Sequence, residues 1–146
     1  MRCQHTETLK SIKMKATPKR LAILDILGKE MAYVGPDEVW LKMKGQFSRI
    51  GLPTIYRNLE ELAAGGVITK IIHPNRQLYY HFCPNLDHHH HFICLACRRV
   101  EDVAVCSLEG IEREVEHRIG GTVLSHLIQV NGLCRDCSLE EQRSNL

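Results

Sequence analysis

Two Cys-x-x-Cys knuckles, Cys94/Cys97 and Cys134/Cys137, constrain this chain more than any other feature. Each places two sulfurs about one ion's width apart, and together they supply the four-sulfur shell that zinc prefers. The 36 residues between the knuckles exceed the loop of a zinc ribbon, so a shared ion has to clamp elements distant in sequence. Buried filler thiols and a redox pair are the competing explanations. A redox site needs one Cys-x-x-Cys beside a βαβ pattern, and no such pattern is present. The spacing points to a structural zinc on Cys94, Cys97, Cys134 and Cys137.

The remaining composition narrows the class. Seven cysteines in a sequence whose start, Met1-Arg2-Cys3-Gln4-His5, lacks a secretory-type apolar stretch favour ligands over disulfides. No apolar run is long enough to span a bilayer, so a cytoplasmic protein without membrane contact is expected. A length of 146 residues suits one compact unit or two small lobes. The net charge of +2 hides a division: residues 1–76 carry 13 Lys/Arg against 7 Asp/Glu, and residues 77–146 carry 6 against 10. A basic half beside an acidic, ligand-rich half suggests one lobe for a polyanion and another for metal and self-association.

In the basic half, Thr17-Pro18 reads as a helix start, a hydroxyl cap followed by proline in the first turn. Leu21, Leu24 and Leu27 follow at helical spacing, and Gly28 ends the run. Gly35-Pro36-Asp37 opens a second helix with Val39, Trp40 and Met43 on one side. A third begins near Gly51-Leu52-Pro53-Thr54 and turns Ile55, Leu59 and Leu62 inward, leaving Thr54, Tyr56, Arg57 and Glu61 off the apolar face. Val67 to Ile72, a His73-Pro74-Asn75-Arg76 turn, and Leu78 to Phe82 then predict a two-stranded wing. Three helices and a hairpin make a winged helix-turn-helix, whose third helix enters the major groove. Tyr56 suits a thymine methyl or a phosphate, and Arg57 suits guanine or phosphate. Lys15, Lys19, Arg20, Lys70 and Arg76 are expected to grip the DNA backbone.

The acidic half changes to strands. His88 to Cys94, Val100 to Val105 and Thr122 to Val130 are β-compatible runs, and a helix over Ser107 to Ile119 separates the last two. Alternation along a strand sends His88 and His90 to one face and His89 and His91 to the other, so the tetrad seeds two sites. Asp102, Glu109, His117 and His126 are candidate partners by type, and Cys83 is a soft donor six residues before His89. On its predicted strand His126 shares a face with Leu124 and Ile128. Cys3 and Cys106 have no evident partner and read as structural or incidental.

Laid out this way, the chain resembles the ferric uptake regulator superfamily of metal-sensing repressors, possibly its zinc-uptake branch. The resemblance runs from about Lys15 to Cys137. It rests on Thr17-Pro18-Lys19-Arg20, on Thr54-Ile55-Tyr56-Arg57-Asn58-Leu59, on the histidine run ending Phe92-Ile93-Cys94, and on both knuckles. It implies an α+β protein: an N-terminal winged-helix domain, residues 1–82, that binds an operator through these motifs, Thr17, Thr54 and Asn58 included. A C-terminal α/β dimerisation domain with a structural zinc, residues 83–146, would follow. By position, one site falls on His88, His90, Glu109 and His126. The regulatory site draws on His89, His91 and Asp102, but Tyr33 stands where iron and peroxide sensors have a histidine, and Tyr80 where they have a carboxylate. Cys83 offers a different completion, similar to zinc-uptake regulators, with Thr69 or His73 as further neighbours.

The expected function is a homodimeric, metal-dependent transcriptional repressor with a structural zinc and a regulatory divalent metal, zinc ahead of iron, manganese or nickel. Within the family, the rival is an iron or peroxide sensor. Outside it, a zinc hydrolase lacks support, because His-Glu-x-x-His and the deaminase signature are both missing. A metal buffer would not need the Thr54-to-Leu59 segment. No small-molecule substrate is expected.

Overall fold

The computed structural model describes residues 2–85 and 87–146, and the side chains of Arg2 and Cys3 lie outside that description. The expectation for Cys3 therefore falls outside the described residues. The chain divides into two compact units, residues 1–86 and 87–146.

The N-terminal unit contains α1 (Arg2–Ser11), α2 (Pro18–Lys29), α3 (Pro36–Met43), α4 (Leu52–Ala64), β1 (Thr69–Ile72) and β2 (Leu78–His81). Thr17 caps α2 as its sequence predicts: its hydroxyl accepts the Arg20 N–H at 3.3 Å. Ala22, Ile23, Leu24 and Leu27 then face Val39 and Met43 of α3 and Ile55, Leu59 and Leu62 of α4 in one core. The indole of Trp40 donates to the Ile50 carbonyl at 2.9 Å and pins the connection that leads into α4. Gly66, at φ +75°, lets the chain leave α4 in the left-handed conformation that side chains disfavour. β1 and β2 pair antiparallel from Thr69↔His81 to Ile72↔Leu78, and Val34 bridges Tyr80 on the other edge of the hairpin.

One helix is added to the sequence expectation. α1 buries Leu9 completely, yet its low overall apolarity gives it no amphipathic signature to read. Its packing, not its pattern, makes it part of the core.

The C-terminal unit is a three-stranded sheet in the order β4-β3-β5, with β3 (His90–Cys94), β4 (Val100–Val103) and β5 (Gln129–Gly132). β3 runs antiparallel to β4 and parallel to β5. Helix α5 (Glu109–Glu114) continues into a π-helical turn, Val115–Ile119, that stops at Gly120 with φ +73°. Helix α6 (Arg135–Ser144) starts at Cys134. The predicted strand over Thr122 to Val130 is corrected. Residues 122–128 form no strand, and pairing starts at Gln129. Alternation made that segment look like a half-buried strand, but Leu124 is 91% exposed.

Leu9→Ala should destabilise the protein by about 2–5 kcal/mol, the usual cost of emptying a buried leucine site. Denaturant unfolding checks this, and a shift below about 0.5 kcal/mol would show that α1 is not part of the folding core.

Candidate metal centres and nucleic-acid face

Cys94 ends β3, Cys97 lies in the turn toward β4, and Cys134 and Cys137 sit at the start of α6. Arg98, at φ +67°, closes the first knuckle: its N–H donates to the Cys94 carbonyl, and the Cys94 N–H donates to the Arg99 carbonyl. The four sulfurs lie within 4.8 Å of one another, with Cys97 and Cys134 3.7 Å apart. Zinc–sulfur bonds of about 2.3 Å place the corners of a tetrahedron about 3.8 Å apart, so the set fits. Burial acts to raise the Cys94 thiol, but N–H groups of Cys134, Cys97 and Ala96 outweigh it and bring it down to about 6. Cys137 is instead pushed up to about 12, by its hydrogen bond to Cys134 and by burial.

β3 sorts the histidines as strand geometry requires. On one face His89 and His91 present their Nε2 atoms 3.0 Å apart, and each lies 3.7 Å from Asp102 Oδ1. Asp102 is there because it pairs directly opposite His91 across β4, and directly opposed residues share a face. The Nδ1–H of His89 donates to the Asp87 carbonyl at 2.6 Å, which leaves Nε2 as the lone-pair nitrogen. Ligating histidines use this arrangement to fix ring and tautomer. A tetrahedral ion with bonds of about 2.0–2.1 Å sets nitrogen and oxygen donors about 3.4 Å apart, near the spacing found. Burial lowers the His91 pKa, aided by His89, so the ring is kept neutral. Cys83, half-buried, belongs to the N-terminal unit.

On the opposite face, His88, His90 and His126 cluster with ring centroids 4.8–5.2 Å apart. His90 is buried, and neither ring nitrogen has a hydrogen-bond partner. Such groups are rare unless something else satisfies them. Glu109, expected in this group, lies exposed at the start of α5, and the fourth donor atom within 4.8 Å of the others belongs to Cys106, the thiol read from the sequence as structural or incidental. Cys106 lies three residues before Glu109, on the connection that leads into α5. Residue type and position in the family resemblance both favoured the carboxylate.

The expected DNA-facing residues divide into two groups. Tyr56 and Arg57 project outward from α4, and Lys15 and Arg76 are exposed. An open cleft of about 570 Å³ is lined by Arg57 together with Pro18, Lys19 and Glu61, among others. Other residues are engaged internally. Asn58 is 7% exposed and its amide donates to the Thr54 carbonyl at 2.8 Å, so it braces α4. Arg20 holds Glu61 and the Lys15 carbonyl. Lys70 pairs with Glu60 at 2.6 Å, and the Tyr80 hydroxyl donates to the other oxygen of the same carboxylate. Those hydrogen bonds, Lys70 first, lower the Glu60 pKa. Tyr33 is also buried, edge-on to Tyr79 at 4.9 Å. Helical and strand periodicity does not reveal the Arg20–Glu61, Lys70–Glu60 and Tyr80–Glu60 pairs, because each joins residues from different elements.

Comparison with known proteins agrees with this architecture. The profile described as the ferric uptake regulator family matches residues 11–131. The peroxide operon regulator of Bacillus subtilis is 29% identical over 135 residues, covering 92% of each chain. The peroxide-responsive repressor PerR of Staphylococcus aureus is 28% identical over 130 residues, 89% of this chain and 86% of that one. Among solved structures, the ferric uptake regulator of Francisella tularensis with iron matches at a TM-score of 0.61 and 26% identity, over 86% of this chain and 96% of that one. A zinc uptake regulator complexed with zinc and DNA matches in fold at a TM-score of 0.78, with 21% identity, over 97% and 95%. A profile match over most of the chain, on a winged-helix unit and a cysteine- and histidine-rich sheet unit, establishes that the protein belongs to the ferric uptake regulator family.

Proposed function

We propose that this protein is a zinc-responsive transcriptional repressor that binds an operator as a homodimer. The observation that carries the reading is the triangle of His89, His91 and Asp102, with the His89 tautomer already set for ligation. A divalent cation bound there would supply fixed positive charge and directional bonds, favouring whichever chain arrangement satisfies them best. Cys83, six residues before His89, is within reach of the same group along the chain and is proposed as its soft fourth donor. Two imidazoles and a thiolate favour zinc over manganese or ferrous iron. The four-cysteine group is proposed as a structural zinc site. Exposed Ile111, Ile119, Leu124, Leu127 and Val130 support self-association of the C-terminal unit, since apolar surface on this scale usually meets a partner.

The relatives named as peroxide regulators favour a second reading, an iron-based sensor. Against it stand Tyr33 and Tyr80, both buried in the N-terminal core. Burial, then the hydrogen bond to Glu60, raises the Tyr80 pKa, so its phenol stays protonated and does not ligate at neutral pH.

The decisive experiment is an operator titration against buffered zinc and ferrous iron. Cys83→Ser and His89→Ala should each lose zinc-dependent operator binding while retaining the four-cysteine zinc, and Tyr33→Phe should respond like the parent. Wild-type zinc activation in Cys83→Ser, or activation of the parent by iron alone, would transfer the protein to the iron-sensor reading.

Cys94→Ser and Cys137→Ser should each lose one tightly held zinc per chain, with a lower thermal midpoint or loss of dimer, because structural zinc contributes directly to folding free energy. Zinc content and thermal stability both unchanged would remove the assignment.

Arg57→Ala should weaken operator binding by about 1–3 kcal/mol if the guanidinium meets a base, at unchanged stability. Arg20→Ala should differ by also lowering the unfolding midpoint, since its partner is Glu61 of α4. Equal operator affinity in Arg57→Ala and the parent would take Arg57 out of the interface.

A further inference from the structure

The group of His88, His90 and His126 has a donor that its sequence context does not announce. Cys106 Sγ lies 3.0 Å from His126 Nε2, and that nitrogen lies 3.1 Å from His88 Nε2. His90 completes a set whose donor atoms all fall within 4.8 Å of one another. Its imidazole is 1% exposed, and both ring nitrogens are buried without a hydrogen-bond partner. A buried donor and acceptor left unmatched carries a desolvation cost that a coordinated ion would relieve at one nitrogen. Three imidazoles and a thiol converging on one point are more than a hydrogen-bonded cluster requires.

Glu109 is not among the donors that converge here: it sits in the first turn of α5, where its charge suits the helix N-terminus, whereas Cys106, itself exposed, brings its sulfur into the group. Residues 104–107, which link β4 to α5 without regular structure, deliver the thiol instead.

We propose that Cys106 is the fourth ligand of this group and makes it a nitrogen–sulfur site selective for zinc-class divalent ions. The inference rests on the metal-binding reading above for the site's purpose and on the geometry for its donor set. On binding, the Cys106 thiol gives its proton to solvent and the thiolate bonds the ion, with the imidazoles neutral. Thiolate replaces the hard carboxylate that Glu109 would have offered. Carboxylate sites suit manganese, magnesium and calcium, whereas a thiolate among imidazoles suits zinc and cobalt(II). Cys106 is thus the residue that sets which ions this site accepts.

The test uses full-length dimer with zinc in the four-cysteine site and the substitutions Cys3→Ser and Cys83→Ser. Cys106 is then the one thiol outside the knuckles. Cobalt(II) added alone should produce a sulfur-to-cobalt charge-transfer band in the near ultraviolet. Adding Cys106→Ser should abolish the band and weaken competitive zinc binding at least about tenfold, the lower bound seen when even outer-shell partners are removed. Adding Glu109→Gln should leave band and affinity unchanged, and excess manganese should not displace the cobalt. Four-cysteine zinc content and dimer mass verify that each variant remains folded. The proposal is overturned if no charge-transfer band forms in the parent background. It is equally overturned if Cys106→Ser keeps the band, or if Glu109→Gln, not Cys106→Ser, weakens zinc. Operator titration of protein with Cys83 intact is a separate readout, so failure of the zinc-repressor reading would show there and leave this result standing.

Discussion

Every donor group in the C-terminal unit depends on how strand β3 is held. It is bonded on one edge to antiparallel β4 and on the other to parallel β5. Fully buried Ile93 anchors the register from within the core. With that register His89 and His91 face Asp102, His88 and His90 face His126, and Cys94 ends the strand two residues from the Cys134 level of β5's exit. A slip of one residue would exchange the faces and dismantle both histidine groups at once. Gly132 contributes by what it lacks: a Cβ there would meet the Phe92 ring at 3.0 Å, so glycine lets β5 lie close enough to β3 to bring the second knuckle to the first.

A comparable role in the N-terminal unit falls to Glu60 and Glu61. Consecutive residues on a helix point about 100° apart, so neighbouring carboxylates reach different neighbours. Glu60 takes Lys70 and Tyr80 from the wing, and Glu61 takes Arg20 from α2. Exposed ion pairs are worth about 0–1 kcal/mol each, so they do not hold the unit together. Burial of Ile55, Leu59 and Leu62, at about 1.5–3 kcal/mol per side chain, does that. The pairs instead fix how α4 is presented, leaving Tyr56 and Arg57 outward.

Much of this was legible from residues alone. The wing, the caps at Thr17 and Gly35, and the apolar faces of α2, α3 and α4 are local patterns, and local chemistry decided them. The knuckles and the two-sided histidine tetrad follow from spacing and strand period. What escaped was set by contacts between elements. α1 lacks an amphipathic pattern and is held through Leu9 and the buried edge of His5 against Phe82. The 122–128 segment alternates like a strand but has no strand beside it within the described chain. Lys70 and Arg20 look like free polar groups until their partners on α4 are known. The approach of Cys106 to the three histidines escaped because neither residue type nor spacing tells which way a loop turns.

These departures share a chemical direction. At positions 33 and 80, where the family resemblance expects an imidazole and a carboxylate, the chain has phenols committed to its core. The Tyr80 hydroxyl donates to Glu60, and burial keeps it protonated, so nothing at that position replaces the missing hard donor. The thiols proposed as ligands, Cys83 and Cys106, lie elsewhere and are soft. Metals compete for a site through donor type and geometry more than through intrinsic affinity. If both thiols ligate as proposed, exchanging oxygen donors for sulfur at two groups of the same protein would move both along the same axis, away from manganese and ferrous iron and toward zinc. Burial lowers the pKa of His90 and of His91, which favours the neutral imidazole that ligation of any divalent metal requires.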